Sequence, residues 1–363
     1  MKVRREVMNQ TINFAASTTV PLDIGARDFW LAGIGLDFQV PKTDGASPTT
    51  TQDFLMRTVT GISLYGDGRP YIALTAPDIR PLGWHMRNRL QGRHRPPDMI
   101  AGAATFHWLL PITFAPNVVK FDDSEFLKDA SSLVPTTDDL RLSITWGAAG
   151  STTATGGPIG DYRLIGSALC RVILIGLTLE TSDPKPAMRP YFFGSPWSPT
   201  QGYPGLSGVQ KLTPGWWYRR TTVMQRLGAS PADVRVDGMN ANGASEISFH
   251  TADGRDPVKY KFWEFAQMTQ GQVQVADDNS AIAQAGAEGA TAAYGAGSTA
   301  VSYNAGVGMF DYADIMDTAG NPQAATFGMD LSGKQQGAAQ IAFTVDSYTN
   351  LNIDMFHECY KPA

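Results

Sequence analysis

Charge is scarce in this chain. Asp, Glu, Lys and Arg make up 17% of its 363 residues, against roughly a quarter in ordinary soluble proteins. The formal net charge is -5, and no basic stripe is present to neutralise phosphates, which argues against direct nucleic-acid binding. Gly, Thr, Ser, Asn and Gln carry the polarity instead, as suits a surface covered by neighbours or loops. Cysteine is nearly absent. Cys170 and Cys359 sit in apolar, strand-like surroundings without metal spacing, and read as buried free thiols. The apolar run Ala168–Leu179 is broken by Arg171 and is too short to span a bilayer. The first residues lack the apolar segment of a secretory leader, which predicts a soluble chain made in a cytosol-like compartment.

Catalytic constellations are lacking too. His85, His94, His107, His250 and His357 never form the His-x-His or His-x-x-x-His spacing that a metal site on a strand or helix needs. There is no G-x-S-x-G elbow and no glycine-rich phosphate loop between a strand and a helix. The expectation is no enzyme, no cofactor and no metal site. Two sets of acids remain, Asp122, Asp123 and Glu125, and Asp311, Asp314 and Asp317. They are oxygen donors for a hard cation such as Ca2+ but lack an EF-hand's glycine-punctuated loop, and ordinary loop acids or a helix N-terminus account for them better. Nothing places a carboxylate pair across a sugar ring as a glycosidase requires. Trp216, Trp217 and Tyr218 offer either a sugar-stacking platform or strand packing, since three adjacent aromatics put at least one on each face.

What the chain does have is internal repetition. Phe121–Ala130 reads F-D-D-S-E-F-L-K-D-A and Phe310–Ala319 reads F-D-Y-A-D-I-M-D-T-A. Upstream, Gly66-Asp67-Gly68-Arg69 is answered by Ala252-Asp253-Gly254-Arg255. Asp67 and Asp253 are 186 residues apart and Phe121 and Phe310 are 189 apart, so two landmarks agree on a period near half the chain. A tandem duplication follows, with domains at 1–182 and 187–363 and a Pro-containing linker at 183–186.

Within that frame the periodicity is mostly that of strands. Trp30, Ala32, Ile34, Leu36, Phe38 and Val40 alternate with Gly, Asp and Gln, a half-buried strand. Val59–Tyr65 and Tyr71–Thr75 flank the first Asp-Gly turn as a hairpin. Leu82, Met86 and Leu90 recur every four residues behind Pro81, predicting a short helix with Pro81 in its first turn. Thr105–Phe114, Leu140–Trp146 and Leu164–Leu179 complete the first unit. Met1–Val7 reads as a solvated start or as a basic arm. Arg189–Thr213 reads as irregular structure pinned by aromatics. The second unit begins at Trp216–Leu227, the counterpart of the Trp30 strand. Val234, Val236, Ile247 and Phe249 suggest a hairpin, Lys259–Met268 a helix with Phe262, Trp263 and Phe265 inward, and Phe327, Met329 and Leu331 a strand. Strands at Ile341–Val345 and Leu351–Met355 close the chain, while Ala276–Ser298 gives no clear pattern. About eight short strands per unit indicate an all-β fold of two tandem eight-stranded jelly rolls with short helices in the connections.

The order of these features resembles the double jelly-roll major capsid proteins of tailless icosahedral viruses with an internal membrane, the tectivirus, corticovirus and adenovirus lineage. The resemblance is carried by the Trp30–Val40 alternation, the Asp-Gly turn leading to a Trp-containing helix, the Phe-Asp stretch, the L-x-L-x-I-x-W strand at Leu140–Trp146, and the second copy of the scheme. It implies a homotrimer that forms a pseudo-hexagonal tile, contacts other trimers, penton and minor capsid proteins, and resides in the virion after synthesis in a host cytoplasm. It also implies an N-terminal segment on the inner face, where Lys2, Arg4 and Arg5 would meet a lipid membrane. The competing reading is a two-sandwich glycan-binding or host-attachment protein.

Overall fold

A computed structural model of the chain describes residues 1–41, 58–89, 105–117, 129–149, 166–198, 206–228, 234–236, 243–252, 258–272, 306–316, 320–346 and 350–363. The chain divides into two compact units. One comprises Met1–Phe193 with Pro362–Ala363, the other Gly194–Lys361. The division falls after Phe193 and not within the Asp183–Pro186 stretch suggested by composition, because the residues beyond that stretch still pair with the first unit.

The first unit holds β1 (Lys2–Asn13), β2 (Thr19–Asp23), β3 (Trp30–Pro41), β4 (Val59–Gly66), β5 (Arg69–Thr75), α1 (Ala76–Arg89), β6 (Thr105–Thr113), β7 (Arg141–Trp146), β8 (Leu169–Thr178) and most of β9 (Met188–Gly194). One sheet has the order β1-β8-β3-β6; facing it is β2-β7-β4-β5. This is the jelly-roll connectivity. Side-chain alternation explains the core directly, because each cross-strand row is apolar on the inner face. Ile12, Cys170, Phe38 and Trp108 form one such row, and Leu22, Leu142, Leu64 and Ile72 another in the facing sheet. All eight side chains are buried. The sheets meet where Trp146 sits edge-on to Phe38 at 5.9 Å, while Phe38 stacks on Trp108 at 5.1 Å. The β4–β5 hairpin turns through Asp67 and Gly68, both at positive φ, the conformation a two-residue turn between right-twisted strands needs.

The second unit repeats the plan. Ser195 and Trp197 bond to the backbone of Met355 and Ile353. Then follow β10 (Leu206–Lys211), β11 (Trp217–Leu227), β12 (Val234–Arg235), β13 (Ala244–Thr251), β14 (Val258–Lys261), α2 (Phe262–Gln272), β15 (Val307–Asp311), α3 (Tyr312–Ile315), α4 (Pro322–Phe327), β16 (Met329–Asp330), β17 (Ala339–Val345) and β18 (Leu351–Pro362). One sheet is β10-β17-β13-β14. In the other, β11 pairs with β18 along one side, while β16, β15 and β12 share its opposite side in turn. Across the sandwich Trp197 stacks on Phe343 at 5.3 Å, and Phe249 meets Tyr312 at 5.1 Å.

Even the irregularities match. β3 shifts register between Leu31 and Gly33, and β11 between Tyr218 and Arg220. β4 shifts between Val59 and Gly61, and β13 between Ala244 and Glu246. The duplicated Asp-Gly sequence links β4 to β5 in one unit and β13 to β14 in the other. Each helix then begins with an acid at its third position closing on the backbone N–H just before the helix, Asp78 on Thr75 at 2.8 Å and Glu264 on Lys261 at 2.9 Å. This is half of a capping box.

Several expectations need correction. Met1–Val7 is not a loose start, since β1 pairs antiparallel with β8 from Lys2 onward. Pro81 lies at the sixth position of α1, beyond the first turn. Arg189–Thr213 contains β9 and β10, whose prolines and glycines dilute the strand pattern. Val234 and Val236 make no hairpin with Ile247 and Phe249, because β12 pairs with β11 and β13 with β14 and β17. Phe327 ends α4 and only Met329 and Asp330 are extended, so the alternation through Leu331 is not one strand. Phe262 and Phe265 are buried on α2, but Trp263 is only half-buried. The first Phe-Asp stretch up to Lys128, residues 150–165, and Ala276–Ser298 lie outside the described residues.

Three strand glycines give way to a ring. A Cβ on Gly176 would strike Phe29, one on Gly208 would strike Trp197, and one on Gly308 would strike Phe265. Gly176→Ala and Gly308→Ala are each expected to destabilise their unit by about 1–3 kcal/mol through overpacking, read as a lower urea midpoint. Gly68→Ala has open space at its Cβ, and its penalty comes from the positive φ alone, about 1 kcal/mol.

Candidate functional site

Four places merit a functional reading. The first is the basic start of β1. Lys2, Arg4 and Arg5 pair with Thr178, Gly176 and Ile175 of β8 and are all exposed. Alternation puts Lys2 and Arg4 on one face and Arg5 on the other, so the strand brings together two of the three cations. Arg4 Nη1 lies 2.7 Å from Asp28 Oδ2, with both side chains about half exposed or more. Nearby, Arg27 is held by Glu6 at 3.2 Å.

The second is a buried charge cluster on the irregular segment of β11. Two successive residues there, Arg219 and Arg220, reach the same acid. Asp311 accepts from Arg220 Nε at 2.9 Å, contacts the Arg219 guanidinium, and caps α3 by accepting from Ala313 N at 3.1 Å. Glu358 accepts from Arg220 Nη1 at 3.2 Å and from the Tyr360 hydroxyl at 2.6 Å. Burial, then the neighbouring Arg220, pushes the Arg219 pKa down to about 9. The matched positions of the first unit hold Ala32, Gly33, Ile175 and Thr113, so a charged network stands where the other half is largely apolar. Asp311 is therefore committed to structure. Asp314 is exposed, and Asp122, Asp123, Glu125 and Asp317 lie outside the described residues. Among the described residues no group of three or more His, Cys, Asp or Glu is placed to hold a metal ion.

The third is a chain of hydrogen bonds inside the second sandwich. The Tyr312 hydroxyl donates to Thr221 Oγ1 at 3.0 Å, Thr221 meets His357 Nδ1 at 2.9 Å, and His357 Nε2 meets Ser195 Oγ at 2.6 Å. Burial holds the Tyr312 phenol well above its ordinary range, so it stays a donor. The threonine oxygen accepts from Tyr312 and keeps both a second lone pair and its own proton for Nδ1, so either imidazole tautomer completes the chain. His357 is 1% exposed. The arrangement cross-links strands.

The aromatic trio divides as packing requires. Trp217 and Tyr218 are buried, with the Tyr218 hydroxyl closed on Thr213, while Trp216 lies under the Lys361 ammonium at 5.3 Å from its ring centre. Strand packing therefore accounts for Trp217 and Tyr218. Cys170 and Cys359 are both buried and free.

The fourth is a cleft of about 400 Å3 between β14, α2, β15 and α3, mainly apolar, with Asp314 among its lining residues. Its β14 wall is pinned to β13 by Glu246, which sits 2.6 Å from both Lys259 and Lys261. Sequence reasoning missed the charge cluster and this cleft. The signal for the first was present, two adjacent arginines inside an otherwise buried strand. The second arises only when the two sheets are stacked.

No protein-family model and no curated protein sequence matches the chain. Solved structures do. The chain superposes on the STIV major capsid protein with a TM-score of 0.65 at 15% identity, covering 100% of this chain and 97% of that one. Sulfolobus Turreted Icosahedral Virus also provides a virion structure, matched at 0.64 and 14% identity over 100% and 91% of the two chains. The PBCV-1 virus capsid matches at 0.56 and 13% over 99% and 94%.

Two outcomes follow from the charges. Glu358→Gln leaves Arg220 short of a buried partner and should cost about 3–5 kcal/mol, whereas replacing Arg220 and Glu358 together by apolar residues should cost less than that single change, measured by a double-mutant cycle in urea. Hydrogen bonds from Lys259, then Lys261, hold the Glu246 pKa at about 2 against an ordinary 4.5. A lowered carboxylate stabilises above the unfolded value and loses that contribution as pH falls from 4.5 toward 2. Glu246→Gln should flatten that acid limb, with an effect at neutral pH under about 1 kcal/mol because the pair is exposed. With both units built on the same eight-stranded connectivity, the chain has the double jelly-roll fold.

Proposed function

We propose that this chain is the major coat subunit of an icosahedral virion, acting as a homotrimer whose six jelly rolls form a pseudo-hexagonal tile. The observation that carries the reading is coverage: 100% of this chain and 97% of the STIV major capsid protein superpose, so both jelly rolls of one chain have their counterparts in the other. The scarcity of charge supports it, since obligate interfaces commonly exceed about 2,000 Å2 and are depleted in charged residues at their centres. The function is self-association, with penton and minor capsid proteins as further partners and the virion as its location. No catalytic role is assigned.

The same reading gives Lys2 and Arg4 an inner-face role toward an anionic lipid membrane. Each cation contributes about 1 kcal/mol near such a surface.

Sizing with light scattering at micromolar protein is expected to give a trimer, and negative-stain images should show hexagonal outlines. A monodisperse monomer would overturn the proposal. If the basic strand faces lipid, replacing Lys2, Arg4 and Arg5 by Ala should lower trimer binding to anionic vesicles at least tenfold and leave binding to neutral vesicles unchanged.

A further inference from the structure

The two units share the eight-stranded plan, yet one edge is treated differently. In the first unit the outer edge of β5 is occupied: Ile72 and Ala73 pair in parallel with Phe192 and Phe193 of β9, and the Phe192 ring lies 5.9 Å from that of Phe114. The capping acids Asp78 and Glu264 set the register between units, so Ile72 and Ala73 correspond to Val258 and Lys259 of β14. Yet β14 is the last strand of its sheet, and among the described residues nothing pairs with its outer edge. Val258 borders the 400 Å3 cleft, together with Tyr260, Met309, Asp314 and Met268, the last of these 54% exposed. An open edge beside exposed apolar side chains is a template for strand addition.

We infer that this cleft receives β1 of a second copy of the chain, laid parallel to β14 as β9 is laid on β5. The occupant follows from the pairing scheme. β9 leads directly into Ser195–Trp197, which bonds to β18 as β1 bonds to β8. Trp197 bridges Ile353, and Ile12 pairs with Cys170 at the matched place. Counting back from these anchors, and allowing for the irregularity of β1 between Val7 and Thr11, Phe192 and Phe193 correspond to the stretch Arg5–Met8. That stretch contains Val7, an apolar side chain left 48% exposed on an outer strand of its sheet. The charges agree in sign. Arg5 lies two residues before Val7 on the same face of β1, and Asp314 is exposed in the cleft, while Lys259 and Lys261 are turned to Glu246. Donor strand and acceptor edge are different surfaces, so the contact is head-to-tail, the type that generates a ring where the rotation closes.

The inference rests on the reading of the chain as a self-associating coat subunit and adds the surface it uses. The test is a chain carrying Val7→Cys with Val258→Cys, oxidised mildly. Interchain disulfides accumulating as dimers and then covalent trimers on a non-reducing gel are expected, with neither single variant cross-linking. On the unmodified protein, the outward amides of β14 should be protected from hydrogen exchange in the trimer, a readout independent of how the cysteine variants fold. A trimer by light scattering that shows neither the protection nor the disulfides, including from Met8→Cys with Val258→Cys, overturns the docking and leaves the coat reading intact. A monomer overturns both.

Discussion

A β-sandwich is limited by its edges, because each outer strand presents a row of unsatisfied N–H and C=O groups to whatever comes near. Much of this chain's detail is a response to that constraint. In the first unit β5 is covered by the end of β9. In the second, the long strand β11 would leave one flank open, and three short strands close it in succession. Lysines flank the edge at β14 and are tethered to Glu246, which guards it against indiscriminate pairing while leaving the backbone available to a chosen partner.

The halves share a framework but differ in what fills it. Where the first unit places Ala32, Gly33 and Ile175, the second places Arg219, Arg220 and Glu358, closed by Asp311. A buried network of this kind adds little net stability over apolar packing, since desolvation consumes most of the attraction. Its effect is positional. Asp311 is at once the end of β15, the partner of two arginines and the cap of α3, so the strand, the helix and the cleft wall they form are held in one relative geometry.

The fold was legible because inward side chains recur with period two, and β3, β4, β7, β17 and β18 all announce themselves that way. The repeat was legible because its Asp-Gly pairs fall in the chain between matched strands. β9 and β10 escaped because Pro190, Pro196 and Gly208 interrupt their pattern, although Gly208 is there to admit the Trp197 ring. Phe327–Leu331 misled because alternation outweighed a plain helix start, Asn321 accepting from Gln323 and Ala324 ahead of Pro322. The charge cluster was legible only in Arg219 and Arg220, since Asp311 and Glu358 lie far from them in the chain and meet them only through strand pairing.

The paired bulges extend the likeness of the halves. Nothing in sandwich geometry obliges a strand to carry an extra residue at a given place, and such insertions persist within families as designed features. They fall at corresponding points of β3 and β11, and again of β4 and β13, so the halves share details of backbone as well as connectivity. Likeness between them is thus written in backbone flaws more than in residue identity.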